Sequence, residues 1–220
     1  MKAIRKLIIP DNLTDIAYQA IKENILNLNI PPGSKITQEE LSRKLCISKT
    51  PIREAFKRLE SESLIQILPR RGTYVSTYGI EDINEIYYIR EILEGLAARL
   101  ASQILNEDDF VRLHILVEKA NQAALAKEII EFSYFDSSFH LMFVQKCGSN
   151  RLMKIYGNIY DLVQIVRLQF LHLPLENTRL YKEHLDIISA LESRSPDQAE
   201  EVVRRHLRRV KDGIMDKIKK

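Results

Sequence analysis

The chain has 220 residues, 45% hydrophobic and 29% charged, with a net charge of only +3, a balance that suits a globular protein of one large or two modest domains and excludes a disordered or collagen-like chain. Seven glycines and seven prolines are few for an all-β protein, and a sequence rich in Leu, Ile, Glu, Lys and Arg favours helix. Two cysteines without paired spacing, Cys46 and Cys147, argue against a disulfide framework, and no apolar run approaches the ~18 residues of a membrane span.

The opening residues, MKAIRKLIIP, are positive but hold only a short apolar run, too short for a signal peptide, so a cytoplasmic protein with no membrane partner is expected. Asp11 to Leu13 leads into a helix predicted over residues 14–28. On it Ile16, Ala17 or Ala20, Ile21, Ile25 and Leu28 recur at helical spacing, and Ile30-Pro31-Pro32-Gly33 ends it. From Thr37 to Gln66 the sequence TQEELSRKLCISKTPIREAFKRLESESLIQ reads as helix, tight turn, helix. Thr37 and Glu40 have the spacing of a capping box, Leu41 and Leu45 share a face, and the turn falls at Leu45-Cys46-Ile47. In the second helix Ser48 or Thr50 caps, Pro51 is tolerated because it lies in the first turn, and Ile52, Phe56 and Leu59 form a buried stripe. Lys49, Arg53 and Lys57 point the other way. A helix that enters the major groove needs this division: an apolar docking side, and small polar and cationic residues such as Ser48, Lys49, Thr50 and Arg53 at its exposed N-terminal end.

Two short apolar runs, Leu64 to Leu68 and Thr73 to Ser76, flank Pro69-Arg70-Arg71-Gly72 and predict a β wing with Arg70 and Arg71 at its tip. Up to Ser76 the chain carries 13 Lys and Arg against 8 Asp and Glu, and beyond it 20 against 22, so the basic excess is local, as expected where one domain holds an anionic polymer. The run LSRKLCISKTPIREAFKRLESESLI, with the Pro-Pro-Gly turn before it and the wing after it, resembles the DNA-binding domain of the GntR family of bacterial transcription regulators. By that resemblance Lys49, Thr50, Arg53 and Gly72 contact DNA, with Ser48 at the helix start. Three departures stand: Lys49 where arginine is usual, Cys46 where the turn usually has glycine, and Ser63 where glycine usually precedes Leu-Ile. Lysine lacks arginine's two-pronged contact to guanine, which shifts Lys49 towards phosphate, and a non-glycine at the turn is strained if its φ is positive.

Tyr78-Gly79 opens a linker, assigned to residues 77–82, where the arrangement of the two parts is expected to change. Beyond it six amphipathic helices are predicted over residues 83–103, 107–126, 129–146, 150–172, 177–192 and 196–218. Asn106 and Ser195 are N-caps, the latter before Pro196, while Cys147-Gly148-Ser149 and His172-Leu173-Pro174 are breaks. None of these helices can bury an apolar face alone, so an antiparallel bundle with one core should form. The expected fold is mostly α: an N-terminal winged helix-turn-helix with a small β wing over residues 1–76, and an all-α antiparallel helical bundle over residues 83–220.

Among the five histidines, three are placed to meet. Asp136 and His140 share a helix face, His184 lies among Tyr181, Leu185 and Ile188, and His206 among Val202, Val203 and Val210. Imidazoles and a carboxylate suit Zn, Ni, Mn or Fe, although by spacing alone such histidines are more often hydrogen-bonded core residues. Asp136-x-x-x-His140, Glu183-His184 and His206, together with the run YIREILEGLAA from Tyr88, resemble the FCD domain, the effector domain attached to GntR-type DNA-binding domains in the FadR subfamily; six helices resemble its VanR-like branch. The resemblance implies a divalent transition metal held by Asp136, His140, His184 and His206, and a small carboxylate effector gripped by Arg90 and Arg167. The bland alternative for each arginine is an ion pair. Tyr156, Asn158 and Tyr160 are further candidates to line the pocket, and Glu183, next to a ligand, is expected to point elsewhere on its helix.

The function so implied is that of a nucleoid-associated homodimeric regulator, not an enzyme, whose partners are a near-palindromic double-stranded DNA operator and a small organic acid. Two alternatives stand beside it. A metal-dependent hydrolase or isomerase would need a general base that the sequence does not place, and a nucleoid-type DNA-binding protein would hold a purely structural metal.

Overall fold

The computed structural model describes residues 12–170 and 177–218. The basic opening run, the lead-in at Asp11, the break at His172-Leu173-Pro174 and His172 itself lie outside them. The chain divides into two compact units, Met1–Thr77 and Tyr78–Lys220.

The first unit runs α1 (Leu13–Leu26), β1 (Lys35–Ile36), α2 (Gln38–Leu45), α3 (Lys49–Ser61), β2 (Ile65–Leu68) and β3 (Gly72–Val75). Helix α1 packs on α3, whose Ile52, Ala55, Phe56 and Leu59 are buried as the stripe requires. The inward face of α1 is rotated from the expected one: of the two alanines offered Ala17 is buried, with Ile21 and Ile25 as expected, but Ile16 is exposed and Tyr18 goes in instead. Tyr18 earns that place through its polar tip as well as its ring, since its hydroxyl donates to Glu62 at 2.7 Å and the Arg58 guanidinium covers the ring at 3.7 Å. Thr37 caps α2 by accepting the Glu40 N–H at 3.1 Å, but the return half of the capping box is replaced: the Glu40 carboxylate pairs with Lys44 at 2.7 Å.

Strand order is β1-β3-β2, antiparallel throughout, with Leu68 opposite Gly72 and Ile65 opposite Val75. Pro69 followed by Arg70 at φ 65°, closed by the Arg71 N–H on the Leu68 carbonyl, has the pattern of a type II turn and leaves both arginines exposed. Strand β1 was not expected; two residues are too few for any periodicity to show.

The second unit consists of α4 (Ile80–Ala101), α5 (Glu107–Ala126), α6 (Ile129–Lys146), α7 (Asn150–Phe170), α8 (Asn177–Glu192) and α9 (Pro196–Ile218). The limits of α5, α6, α8 and α9 match the expected ones. Helix α4 starts at Ile80, so Ile80, Glu81 and Asp82, assigned to the linker by sequence, form its first turn; Asp82 accepts the Gly79 N–H at 2.8 Å and holds that turn. Asn106 and Asp109 cap α5 reciprocally, at 3.0 and 3.2 Å. Lys127, at φ 62°, ends α5 and reverses the chain into α6 within two residues, which makes that pair antiparallel.

Helix α4 packs chiefly on α9 and also on α6 and α7. Two features of its surface permit the close approach to α9. A Cβ at Gly95 would stand 2.7 Å from Arg204 Cγ, so the missing side chain makes room, and Glu91, 7% exposed, takes Arg204 at 3.0 Å and Arg208 at 2.8 Å. Instead of one core there are a large apolar cluster, including Ala97, Leu113, Phe139, Phe143, Ile188 and Val203, and a small satellite of Ala120, Ala123, Phe132 and Leu180. Among the described residues no helix is long and apolar enough to cross a membrane.

Candidate functional site

In the first unit the candidate DNA-contacting residues lie on one exposed surface around the start of α3 and, separately, at the wing tip. Ser48, Lys49, Thr50, Arg53 and Lys57 are exposed, as are Arg70 and Arg71, with Gly72 half-buried. Ser48 occupies the N-cap of α3 without bonding its hydroxyl to the helix, so the first-turn N–H groups keep their capacity for an outside acceptor. The cations are lightly held: Lys49 is 3.5 Å from Glu39, Arg53 is 3.6 Å from Glu54, and Lys57 is 3.0 Å from Glu54. Exposed pairs of this kind contribute little and give way readily to a phosphate. The two glycine replacements carry the backbone that glycine favours, with Cys46 at φ 55° and Ser63 at φ 61°. Gly72 has φ 116°, and a Cβ there would lie 2.8 Å from the flexible end of Lys35.

In the second unit, α6, α8 and α9 bring His140, His184 and His206 together. One nitrogen from each ring lies within 4.8 Å of the others, and the three side chains are all buried. The His140 and His206 rings stack with centroids 5.3 Å apart. Asp136, one turn before His140, stands beside the group with Oδ1 at 3.4 Å from His184 Nε2, while Oδ2 takes Arg167 at 2.9 Å. His114 is exposed on α5 and pairs with Glu192 instead.

Helix α4 contributes more than the sequence indicated. Arg90, 2% exposed, donates to Glu94, itself fully buried, which also accepts the Tyr156 hydroxyl at 2.8 Å and lies 2.7 Å from His140 Nδ1, off-line for a hydrogen bond. Sequence reasoning overlooked Glu94. Its signal was an acid one turn after Arg90 on a face continued by Ala97 and Ala98, where a charge stays only if paired. A narrow cavity is lined by Tyr87, Arg90, Asp136, His140, Arg167 and His206, together with the apolar Phe132, Leu180, Val210 and Ile214. Tyr156 supports Glu94 from behind rather than lining this cavity, Tyr160 is half-buried outside it, and Asn158 is exposed, one helical face away.

Glu183 does not simply point away from the site. It faces outward from His184 but reaches His206 Nδ1 at 2.9 Å, and its other oxygen is held by Arg179 at 3.2 Å and by Arg209.

Electrostatics favours neutral rings at His140 and His184 and charged acids beside them. Burial pushes the His140 imidazole down to about 4, with Glu94 opposing, and pushes His184 well below its ordinary value against the pull of Asp136. Burial alone would raise the carboxyls of Glu94 and Asp136; Arg90 beside the first and Arg167 beside the second hold them well below the usual range. Neutral imidazoles beside a carboxylate are the ligand forms a transition metal needs. The residues fit such an ion on a second count: His184 Nε2, His140 Nδ1 and Glu94 Oε2 are buried without a hydrogen-bond partner among the described residues.

Comparison with known proteins accords with this two-part arrangement. The model of the bacterial regulatory proteins of the gntR family matches residues 13–75, and that of the FCD domain matches residues 85–209. The chain is 30% identical over 199 residues to the HTH-type transcriptional repressor RspR of Escherichia coli (strain K12), covering 90% of this chain and 86% of that protein. It is similar in fold to a crystal structure described as a putative GntR transcriptional regulator from Rhodococcus sp. RHA1, with TM-score 0.80 and 18% identity over 92% of this chain and 97% of that one. A second structure, E. coli McbR/YncC, gives TM-score 0.77 and 21% identity over 94% and 99%.

The chain belongs to the GntR family of bacterial transcription regulators and carries an FCD effector domain, as in the FadR-like subfamily. Regulators of this family are not enzymes, which removes the hydrolase or isomerase alternative. FCD domains often bind metal, and the three-histidine cluster is the corresponding feature of this chain.

Proposed function

We propose that the chain acts as a homodimer that binds a near-palindromic operator through two winged units and releases or grips it in response to a small carboxylate bound in the helical domain. On DNA, Ser48, Lys49, Thr50 and Arg53 enter the major groove, Lys57 and the wing residues Arg70 and Arg71 meet phosphates, and Gly72 lets the wing backbone approach closely. Their exposure and weak ion pairing support this reading. A two-fold axis follows from the small surface that one such unit covers on a duplex.

The observation that carries the effector half is the convergence of three buried imidazole nitrogens within 4.8 Å of one another beside Asp136. Asp136, His140, His184 and His206 would hold a divalent transition ion, Zn, Ni, Mn or Fe, which when bound supplies a positive anchor for an organic acid. Arg90 lines the same cavity with its Nη2 unpartnered among the described residues, and Arg167 lines it while holding Asp136; both are set to bind the acid's carboxylate. The effector shifts DNA binding only through a differential affinity for two arrangements of the dimer.

Metal analysis of purified protein followed by a thermal-shift screen of small organic acids, with and without chelator, tests the effector half. A stabilising acid whose effect vanishes on chelation is expected; absence of bound metal together with a chelator-insensitive hit refutes it. For the DNA half, Arg53→Ala should weaken operator binding by about 1–3 kcal/mol and relax base preference, and Lys57→Ala should mainly flatten the salt dependence. Gel shifts at two salt concentrations in which both variants match the parent refute it.

A further inference from the structure

We infer that Glu183 is a positioning residue of the histidine cluster: its carboxylate accepts the Nδ1 hydrogen of His206, leaving Nε2 as the nitrogen whose lone pair is offered to an ion. The inference deepens the metal reading proposed above and rests on it for its purpose, though not for its geometry. Glu183 and His184 are consecutive, so their side chains leave α8 about 100° apart. Both nevertheless engage His206 of α9: His184 from the interior, with ring centroids 4.9 Å apart, and Glu183 from the outside, at 2.9 Å from Nδ1. Two neighbouring residues thus bracket one imidazole.

The carboxylate is itself fixed. While Oε2 faces His206, Oε1 accepts from Arg179 Nε at 3.2 Å and is held by Arg209, so it cannot turn without breaking several charge-assisted contacts. With two guanidinium groups on its Oε1, the carboxylate faces His206 as an acceptor, and the hydrogen of this bond belongs to the imidazole. His206, 4% exposed, has no freedom to flip its ring without losing that bond. Glu94 Oε2 also lies 2.7 Å from His140 Nδ1, but off-line, so among the described residues that ring has no such bond. An outer carboxylate on a ligating histidine sets tautomer and orientation and raises basicity, and losing it typically weakens metal binding about 10–100-fold. Glu183 differs from Glu94 in being reachable: it forms one wall of an open cleft with Arg179, Asp186, Val202, Arg205 and Arg209.

The test uses the full chain. In metal-free protein, 15N chemical shifts of the imidazoles should show His206 protonated at Nδ1; Glu183→Ala should abolish that preference, and Glu183→Gln, whose amide oxygen accepts the same hydrogen, should restore it. Zn2+ titrated against a competing chelator should bind Glu183→Ala about 10–100-fold more weakly than the parent, with a smaller loss for Glu183→Gln and none for Arg205→Ala in the same cleft. A parent protein whose His206 is protonated at Nε2, or an alanine variant with the parent's tautomer and Zn2+ affinity, overturns the assignment. If the parent binds no Zn2+ while the tautomer still follows residue 183, the metal reading falls and the positioning role stands.

Discussion

Removing one member of the buried Arg90–Glu94 pair should be far more damaging than removing both. Both side chains lie in the interior, 2% and 0% exposed, and Glu94 also accepts the Tyr156 hydroxyl at 2.8 Å. Glu94→Leu strands a permanent guanidinium charge away from water, and Arg90→Met strands a carboxylate; breaking a buried pair in this way costs about 3–5 kcal/mol. The double replacement, with no charge left to solvate and similar volume retained, should cost less than either single change. The cycle should therefore give a coupling energy larger than the cost of one single change, about 3 kcal/mol or more. Urea unfolding of metal-free protein, followed by circular dichroism of the helices, measures it. Single variants that each lose under about 1 kcal/mol, or a double variant that loses the sum of the two, would refute the argument that the charges depend on each other.

Three further outcomes are expected. Cys46→Gly relieves a left-handed residue at an exposed position whose thiol makes a weak bond to the Arg43 carbonyl; the relief of about 1–2 kcal/mol exceeds glycine's entropic cost of about 0.5–1, so stability should rise by about 0.5–1 kcal/mol in thermal melts. Asn106→Ala removes the side-chain acceptor of the Asp109 N–H and should cost about 1 kcal/mol in the same assay, while a neutral result would mean that α5 does not depend on its cap. Because burial depresses His140 from 6.5 to about 4, the unfolded chain binds the extra proton first, so metal-free stability should fall as pH drops through that window, by up to about 3 kcal/mol. His140→Gln should flatten that slope, and an unchanged slope would show that other groups carry it.

The helices were legible because their signals are local: caps such as Asn106, punctuation at Gly148 and Pro196, and apolar residues at helical spacing. The strained turn was legible as well, since a non-glycine at Cys46 has few ways to end a helix and turn sharply. What escaped was cooperative. Strand β1 exists only because β3 pairs with it, and the inward face of α1 is set by Arg58 and Glu62, far along the chain, which accommodate Tyr18 in place of Ile16. Spacing marked Asp136 and His140 as neighbours, yet nothing in their own segment indicated Glu94 or Glu183. Those carboxylates gain meaning only when another helix delivers an imidazole to them, and helix packing is not written in any single window of sequence.

The chain's two thiols are opposites: Cys147 is enclosed, while Cys46 stands in the open just ahead of α3. A maleimide dye added to the unaltered protein would therefore settle at one address, beside the surface proposed to meet the duplex. Fluorescence from that tag would report docking and release directly, with no engineered attachment point.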